Sequence, residues 1–194
     1  MLKKLVLVIL SLLVVANANE KEELASHFNS KIEGVIEIVN DTSLSKDERN
    51  SRIIDSITPM VDFELMAKLS LGKAYSTLSS EDATKFIDLY VKRMKSSYSS
   101  KIDAYENEKV EIKEILQEKP TRITLKTDLV GKGSTLEVNY KYYKPTSSLP
   151  NKDAWLIYDV EISGVSILKA DVAQFREFLS TKSVQDLITY LDQN

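Results

Sequence analysis

The sequence predicts an α+β fold, and three observations carry the prediction. From Glu20 to about Ser99 the apolar residues recur at helical spacing. After Asn107 the period drops to two through four successive segments. From about Asp171 the helical period returns. Helices, then an antiparallel meander, then helices is the order of a domain with helices packed on one sheet. The chain has 194 residues, 43% of them hydrophobic and 28% charged, which suits one globular domain.

The first element is a targeting segment. Lys3 and Lys4 give a positive start, Leu5 to Val15 is apolar except for Ser11, and Ala16-Asn17-Ala18 is the small-x-small pattern that a signal peptidase reads. The apolar run is too short to cross about 30 Å of hydrocarbon. Residues 1–18 are therefore expected to be a cleaved signal peptide and residues 19–194 a single exported domain. No cysteine follows the run, which excludes a lipoprotein.

Glu20 to Asn40 reads as a helix with Leu24, Phe28, Ile32, Val35, Ile36 and Val39 in one stripe. Ser45-Lys46-Asp47-Glu48 is a capping box that opens a second helix ending before Pro59. A third short helix runs from Asp62 to Leu71, closed by Gly72. Ser79-Ser80-Glu81-Asp82 opens a fourth, on which Phe86, Tyr90, Met94 and Tyr98 recur every four residues. Lys109 to Glu118, Thr121 to Val130, Ser134 to Tyr143 and Ala154 to Ile162 read as four strands. Gly131-Lys132-Gly133 marks a tight hairpin between the second and third. Gly164 breaks the last strand. Helices are expected from about Asp171 to Ser180 and from Val184 to Asp192.

Alternation assigns the strand faces. Leu136, Val138, Tyr140 and Tyr142 share one face of the third strand, with Ile123, Leu125 and Leu129 from the second and Leu156, Tyr158, Val160 and Ile162 from the last. From pattern alone this apolar, aromatic face is either helix-covered core or the wall of a ligand cavity.

Composition removes several function classes. Net charge is −3, or −5 without residues 1–18, and the basic residues are interleaved with acids, so nothing marks a nucleic-acid surface. The absence of cysteine excludes disulfides, cysteine nucleophiles and thiolate metal sites. His27 is the only histidine and sits among charges on the first helix. Gly164-Val165-Ser166 lacks the second glycine of a nucleophile elbow, so Ser166 is expected to bond backbone at the start of the last helical region. Asp159 is the one carboxylate that could be catalytic; it reads better as an acceptor for backbone or for a nearby basic residue. Neither a cofactor nor a metal site is expected.

Trp155, Tyr158-Asp159-Val160, Gly164-Val165-Ser166 and Gln174-Phe175 together resemble the signature of the MlaC, or toluene-tolerance, family. Two further stretches are similar to its pattern: Leu71-Gly72, Tyr75, Ser79, Phe86, Met94 and Tyr98, then Val184, Asp186-Leu187-Ile188 and Leu191. Lys169-Ala170-Asp171 departs from the Asn-Tyr-Arg run that many members carry there. The resemblance implies a curved four-stranded antiparallel sheet whose helices enclose an apolar cavity. It implies a periplasmic, non-enzymatic phospholipid carrier, with acyl chains buried and the headgroup outside. Such a carrier shuttles lipid between the MCE-domain subunit of an inner-membrane ABC transporter and an outer-membrane lipoprotein–porin complex, maintaining outer-membrane asymmetry. A monomer is expected.

If the apolar face lines that cavity, its sheet wall is Leu125, Val138, Tyr140, Tyr142, Leu156, Tyr158 and Val160. The opposite wall is then Met66, Leu71, Phe86, Tyr90, Met94, Val165 and Phe175. Trp155 alternates with these strand residues and is expected under the last helix. Lys144, Lys152 and Lys169 are the cations that could meet a headgroup and otherwise read as solvated lysines. The alternatives are a carrier of hopanoids or other apolar ligands, or a cavity enzyme using Asp159.

Overall fold

The structure, a computed structural model, describes residues 2–102 and 108–193, with side chains for residues 19–97 and 108–193. The side chains of the targeting segment, residues 1–18, and of Tyr98 lie outside the described residues. Among the described residues there are six helices: α1 (Leu2–Asn40), α2 (Lys46–Ile57), α3 (Phe63–Leu71), α4 (Ser80–Ile102), α5 (Ile167–Phe178) and α6 (Val184–Gln193). Short 3₁₀ turns, Thr58–Met60 and Gly72–Thr77, link α2 to α3 and α3 to α4. Among the described residues no helix is long and apolar enough to cross a membrane.

Local chemistry sets the helix ends. The capping box of α2 is present: the Ser45 hydroxyl accepts from the Glu48 N–H, while the Glu48 carboxylate accepts from the Ser45 N–H at 2.9 Å. The Asp62 carboxylate caps α3 through the Leu65 N–H at 2.9 Å.

The sheet has five strands, not four: β1 (Lys109–Lys119), β2 (Arg122–Val130), β3 (Thr135–Tyr143), β4 (Leu156–Ile162) and β5 (Val165–Ser166), antiparallel in sequence order. The fifth strand exists because Ser163 and Gly164 both take positive φ, 48° and 79°. That pair forms a two-residue hairpin turn of the primed type, so the chain folds back on β4 before any helix begins. The last long helix then starts at Ile167, four residues earlier than its apolar spacing shows, because Ser166 caps it: its hydroxyl accepts from the Lys169 N–H at 3.0 Å.

Register irregularities bend the sheet. β1 carries extra residues at Lys113 and Glu118, and β4 carries one at Tyr158. Each bulge sets two residues against one and increases the local twist. The Tyr158 bulge also reverses the facing of the start of β4. Tyr140 pairs with Val160, but Tyr142 pairs with Ile157 and Tyr143 with Leu156. Ile157 therefore replaces Leu156 and Tyr158 on the apolar face.

Helices cover both faces. The face with Leu125, Tyr140, Ile157 and Val160 receives α1, whose Phe28 ring lies 5.0 Å from that of Tyr140. The far face, near β4, receives α3 and α5. There the Tyr143 hydroxyl donates to Asp62, and Asp159 accepts from the Leu168 N–H. The outer edge of β4 is closed by β5 at one end and, at the other, by a parallel bridge from Val61 to Ile157.

Candidate functional site

Between α1 and the sheet lies an apolar slot of about 270 Å³. The α1 stripe supplies Phe28, Ile32, Val35, Ile36 and Val39. Ile53 and Ile57 of α2 and Met60 and Val61 of the following turn close one side. The sheet supplies Val110, Leu129, Tyr140, Ile157 and Val160. No charged side chain lines it. The Tyr140 hydroxyl is the one polar side-chain group in the lining, and burial pushes its phenol up to about 12. Such a wall offers dispersion and hydrophobic contact and no acid, base or nucleophile.

Of the residues expected around a cavity, Tyr140 and Val160 line the slot. Leu125, Val138 and Tyr142 share its sheet face but are packed into the core rather than its lining. Leu156 is fully buried on the far face, where the bulge places it. Tyr158 is half-buried there, its ring 6.1 Å from Tyr143 and 4.7 Å from the Arg122 guanidinium above it. Met66, Leu71, Phe86, Tyr90, Met94 and Phe175 are buried in the helical core, where Phe175 meets Phe86 and Tyr90 edge-on at 5.9 and 6.3 Å. Val165 is 63% exposed. The opposite wall is thus built by α1 and α2 rather than α3, α4 and α5. The α1 stripe was the signal for it.

A second pocket, of about 250 Å³ and lined by charged side chains, opens against the α1 segment from Glu20 to His27. Glu20, Glu23, Leu24 and His27 of α1 face Lys144, Asp153, Ala154 and Trp155 of the loop before β4. His27 Nε2 is 2.7 Å from Asp153 Oδ2, and Lys144 Nζ donates to Glu20 Oε1 at 2.6 Å. The Lys144 ammonium lies 5.6 Å from the centre of the Trp155 ring. Trp155 therefore packs beside α1, not under the last helix, because the bulge puts it on the face of Ile157.

The other candidate residues are held structurally. Asp159, 3% exposed, accepts from Ser166 Oγ at 2.7 Å, the Leu168 N–H at 3.1 Å and Lys141 Nζ at 3.3 Å. Lys152 donates to the Thr58 and Val61 carbonyls, each at 2.6 Å. Asp171, in the stretch that departs from the family pattern, is 5% exposed. It accepts from Tyr90 Oη at 2.8 Å and Arg93 Nη1 at 3.0 Å, tying α4 to α5. Among the described residues no group of three or more metal-ligating side chains is gathered.

The family model described as MlaC protein matches residues 29–193. The intermembrane phospholipid transport system binding protein MlaC of Haemophilus influenzae is 23% identical over 160 residues, 80% of this chain and 73% of that one. A solved phospholipid-binding protein from Ralstonia solanacearum, in complex with a phospholipid, has the same fold: TM-score 0.74 at 20% identity, over 87% of this chain and 94% of that one.

Proposed function

Since the chain belongs to the MlaC family, we propose that it is a phospholipid-binding carrier of an intermembrane transport system and not an enzyme. The observation that supports this reading is the slot between α1, α2 and the sheet, whose wall carries no charged side chain and, apart from the Tyr140 hydroxyl, is apolar. Each CH₂ moved from water into such a wall gains about 0.8 kcal/mol. A bilayer offers nearly the same, so a carrier needs only near-parity with the membrane and no energy source of its own. The lipid-contacting set in this proposal is the α1 stripe from Phe28 to Val39, Ile53, Ile57, Tyr140, Ile157 and Val160.

An apolar cavity of about 150 Å³ takes one benzene, so about 270 Å³ corresponds to roughly eleven carbons. That is less than one long acyl chain. In this proposal loading widens the gap between α1, α2 and the sheet. In the full proposal residues 1–18 are removed on export and the domain 19–194 works as a monomer in the periplasm. It exchanges lipid with the MCE-domain subunit of an inner-membrane ABC transporter and with an outer-membrane lipoprotein–porin complex, which maintains outer-membrane asymmetry.

Native mass spectrometry of the exported protein, isolated without detergent and followed by lipid extraction, tests the reading. A bound mass that resolves to a phospholipid is the expected result. Protein that stays empty after incubation with phospholipid vesicles and its transport partners overturns it.

A further inference from the structure

The apolar slot is closed at one end and half-open at the other. Phe28, Met60, Val61, Ile157 and Val160, towards one end, are buried. Val35 and Val39 of α1, Val110 of β1 and Leu129 of β2 are only half-buried. Val110 and Leu129 pair across the strands, and β1 is an outer strand of the sheet. The half-open end is the seam between the last turns of α1 and the β1 edge.

The polar contacts of α1 lie at its other end. Among the described residues two join this helix to the rest of the chain: Glu20 with Lys144 at 2.6 Å and His27 with Asp153 at 2.7 Å. Both partners stand in the segment between β3 and β4. That segment is fastened in turn to the residues after α2. The Asp153 N–H donates to the Pro59 carbonyl at 3.1 Å, and Lys152 Nζ donates to the Thr58 and Val61 carbonyls. From Phe28 to Val39, about 16 Å of helix, α1 meets the slot through apolar side chains alone.

The two ends therefore open at different cost. An acyl chain entering the seam replaces each apolar contact it breaks with another, because hydrophobic contact has no direction. It has nothing to offer the ion pairs of the pinned end. Gly34 stands just before the seam residues of α1, and a Cβ there would meet no atom within 4 Å, so packing does not call for glycine. Glycine inside a helix marks the turn that unwinds most readily.

We propose that lipid enters and leaves through this seam: the α1 segment from Val35 to Val39 swings away from β1 and β2 while the Glu20–His27 end stays pinned. This rests on the carrier reading above. The chain has no cysteine, so introduced cysteine pairs react alone. Val39→Cys/Val110→Cys and Ile36→Cys/Leu129→Cys span the seam, and His27→Cys/Asp153→Cys spans the pinned end. Each pair is tethered with a bismaleimide whose spacer contains a disulfide. Reducing the spacer releases the tether and leaves the added bulk in place. Uptake of deuterium-labelled phosphatidylethanolamine from vesicles of that lipid is then followed by native mass spectrometry. Both seam tethers are expected to slow uptake roughly tenfold or more, and reduction to restore it. The tether at the pinned end should leave the rate within about twofold of its reduced form, since exposed ion pairs contribute little. Seam tethers that leave uptake unchanged overturn the seam as the route and leave the carrier reading standing. A pinned-end tether that slows uptake as much as they do overturns it too. Wild type that takes up no labelled lipid overturns both readings.

Discussion

A carboxylate that is 3% exposed stays charged only if its oxygens are met, and those of Asp159 meet Ser166, the Leu168 N–H and Lys141. These bonds fasten the start of α5 to β4. Asp159→Asn keeps the shape but loses the charge, so it should cost about 2–3 kcal/mol and lower Tm by roughly 5–10 °C in a thermal melt. Lipid occupancy at low temperature should survive, because Asp159 faces away from the slot. Tyr140 makes the pH prediction. Burial raises its phenol from an ordinary value near 10 to about 12. Below pH 10 both folded and unfolded chains hold the phenol neutral, and stability does not change on this account. Between pH 10 and about 12 the unfolded chain ionises first, so stability falls as pH rises. Urea titrations at pH 9, 10 and 11 should show that fall, and Tyr140→Phe should make it shallower.

At the scale of elements, caps and turns decide boundaries that periodicity leaves open. The apolar spacing of Val172, Phe175 and Phe178 places a helix near its true position, yet its first turn, Ile167 to Ala170, carries little of that pattern. The start is fixed by Ser166 instead. Ser166→Ala should therefore lose about 1 kcal/mol, read as a drop in the urea midpoint at unchanged slope. The serine itself was legible as a backbone partner in the sequence. The hairpin that makes β5 was not, because Ser163 at positive φ is a feature of this turn and not of serine in general. Within α1, Gly34 lies where an added Cβ meets no atom within 4 Å. Gly34→Ala should then stabilise the protein by about 0.5–1 kcal/mol through helix propensity and reduced unfolded-state entropy. Tm should rise by about 1–4 °C.

For the molecule as a whole, the question is which helix covers which face. Ile36 is half-exposed in the slot wall, so Ile36→Glu puts a charge where lipid is proposed to lie. The variant should keep its circular dichroism spectrum and lose most co-purifying lipid; full lipid occupancy would move the binding site elsewhere. The α+β class, the six helices, the four long strands and the apolar sheet face were all legible in the sequence, since each depends on periods of 3.6 or two read within a single segment. The stripe on α1 was legible too, as a stripe. Its partner was not. Met66, Phe86, Tyr90 and Phe175 look as suited to a cavity wall as Phe28, Ile32 and Ile36, because hydrophobic burial has no direction and records only that a face is covered. One bulge at Tyr158 then moved Leu156 and Tyr158 to the far face and brought Ile157 and Trp155 to the near one, since strand facing has period two and a single extra residue inverts it. The sequence by itself determined the elements and the apolar character of their faces. Tertiary structure alone decided which faces meet, and so which residues line the slot, because that depends on register and packing between segments distant in the chain.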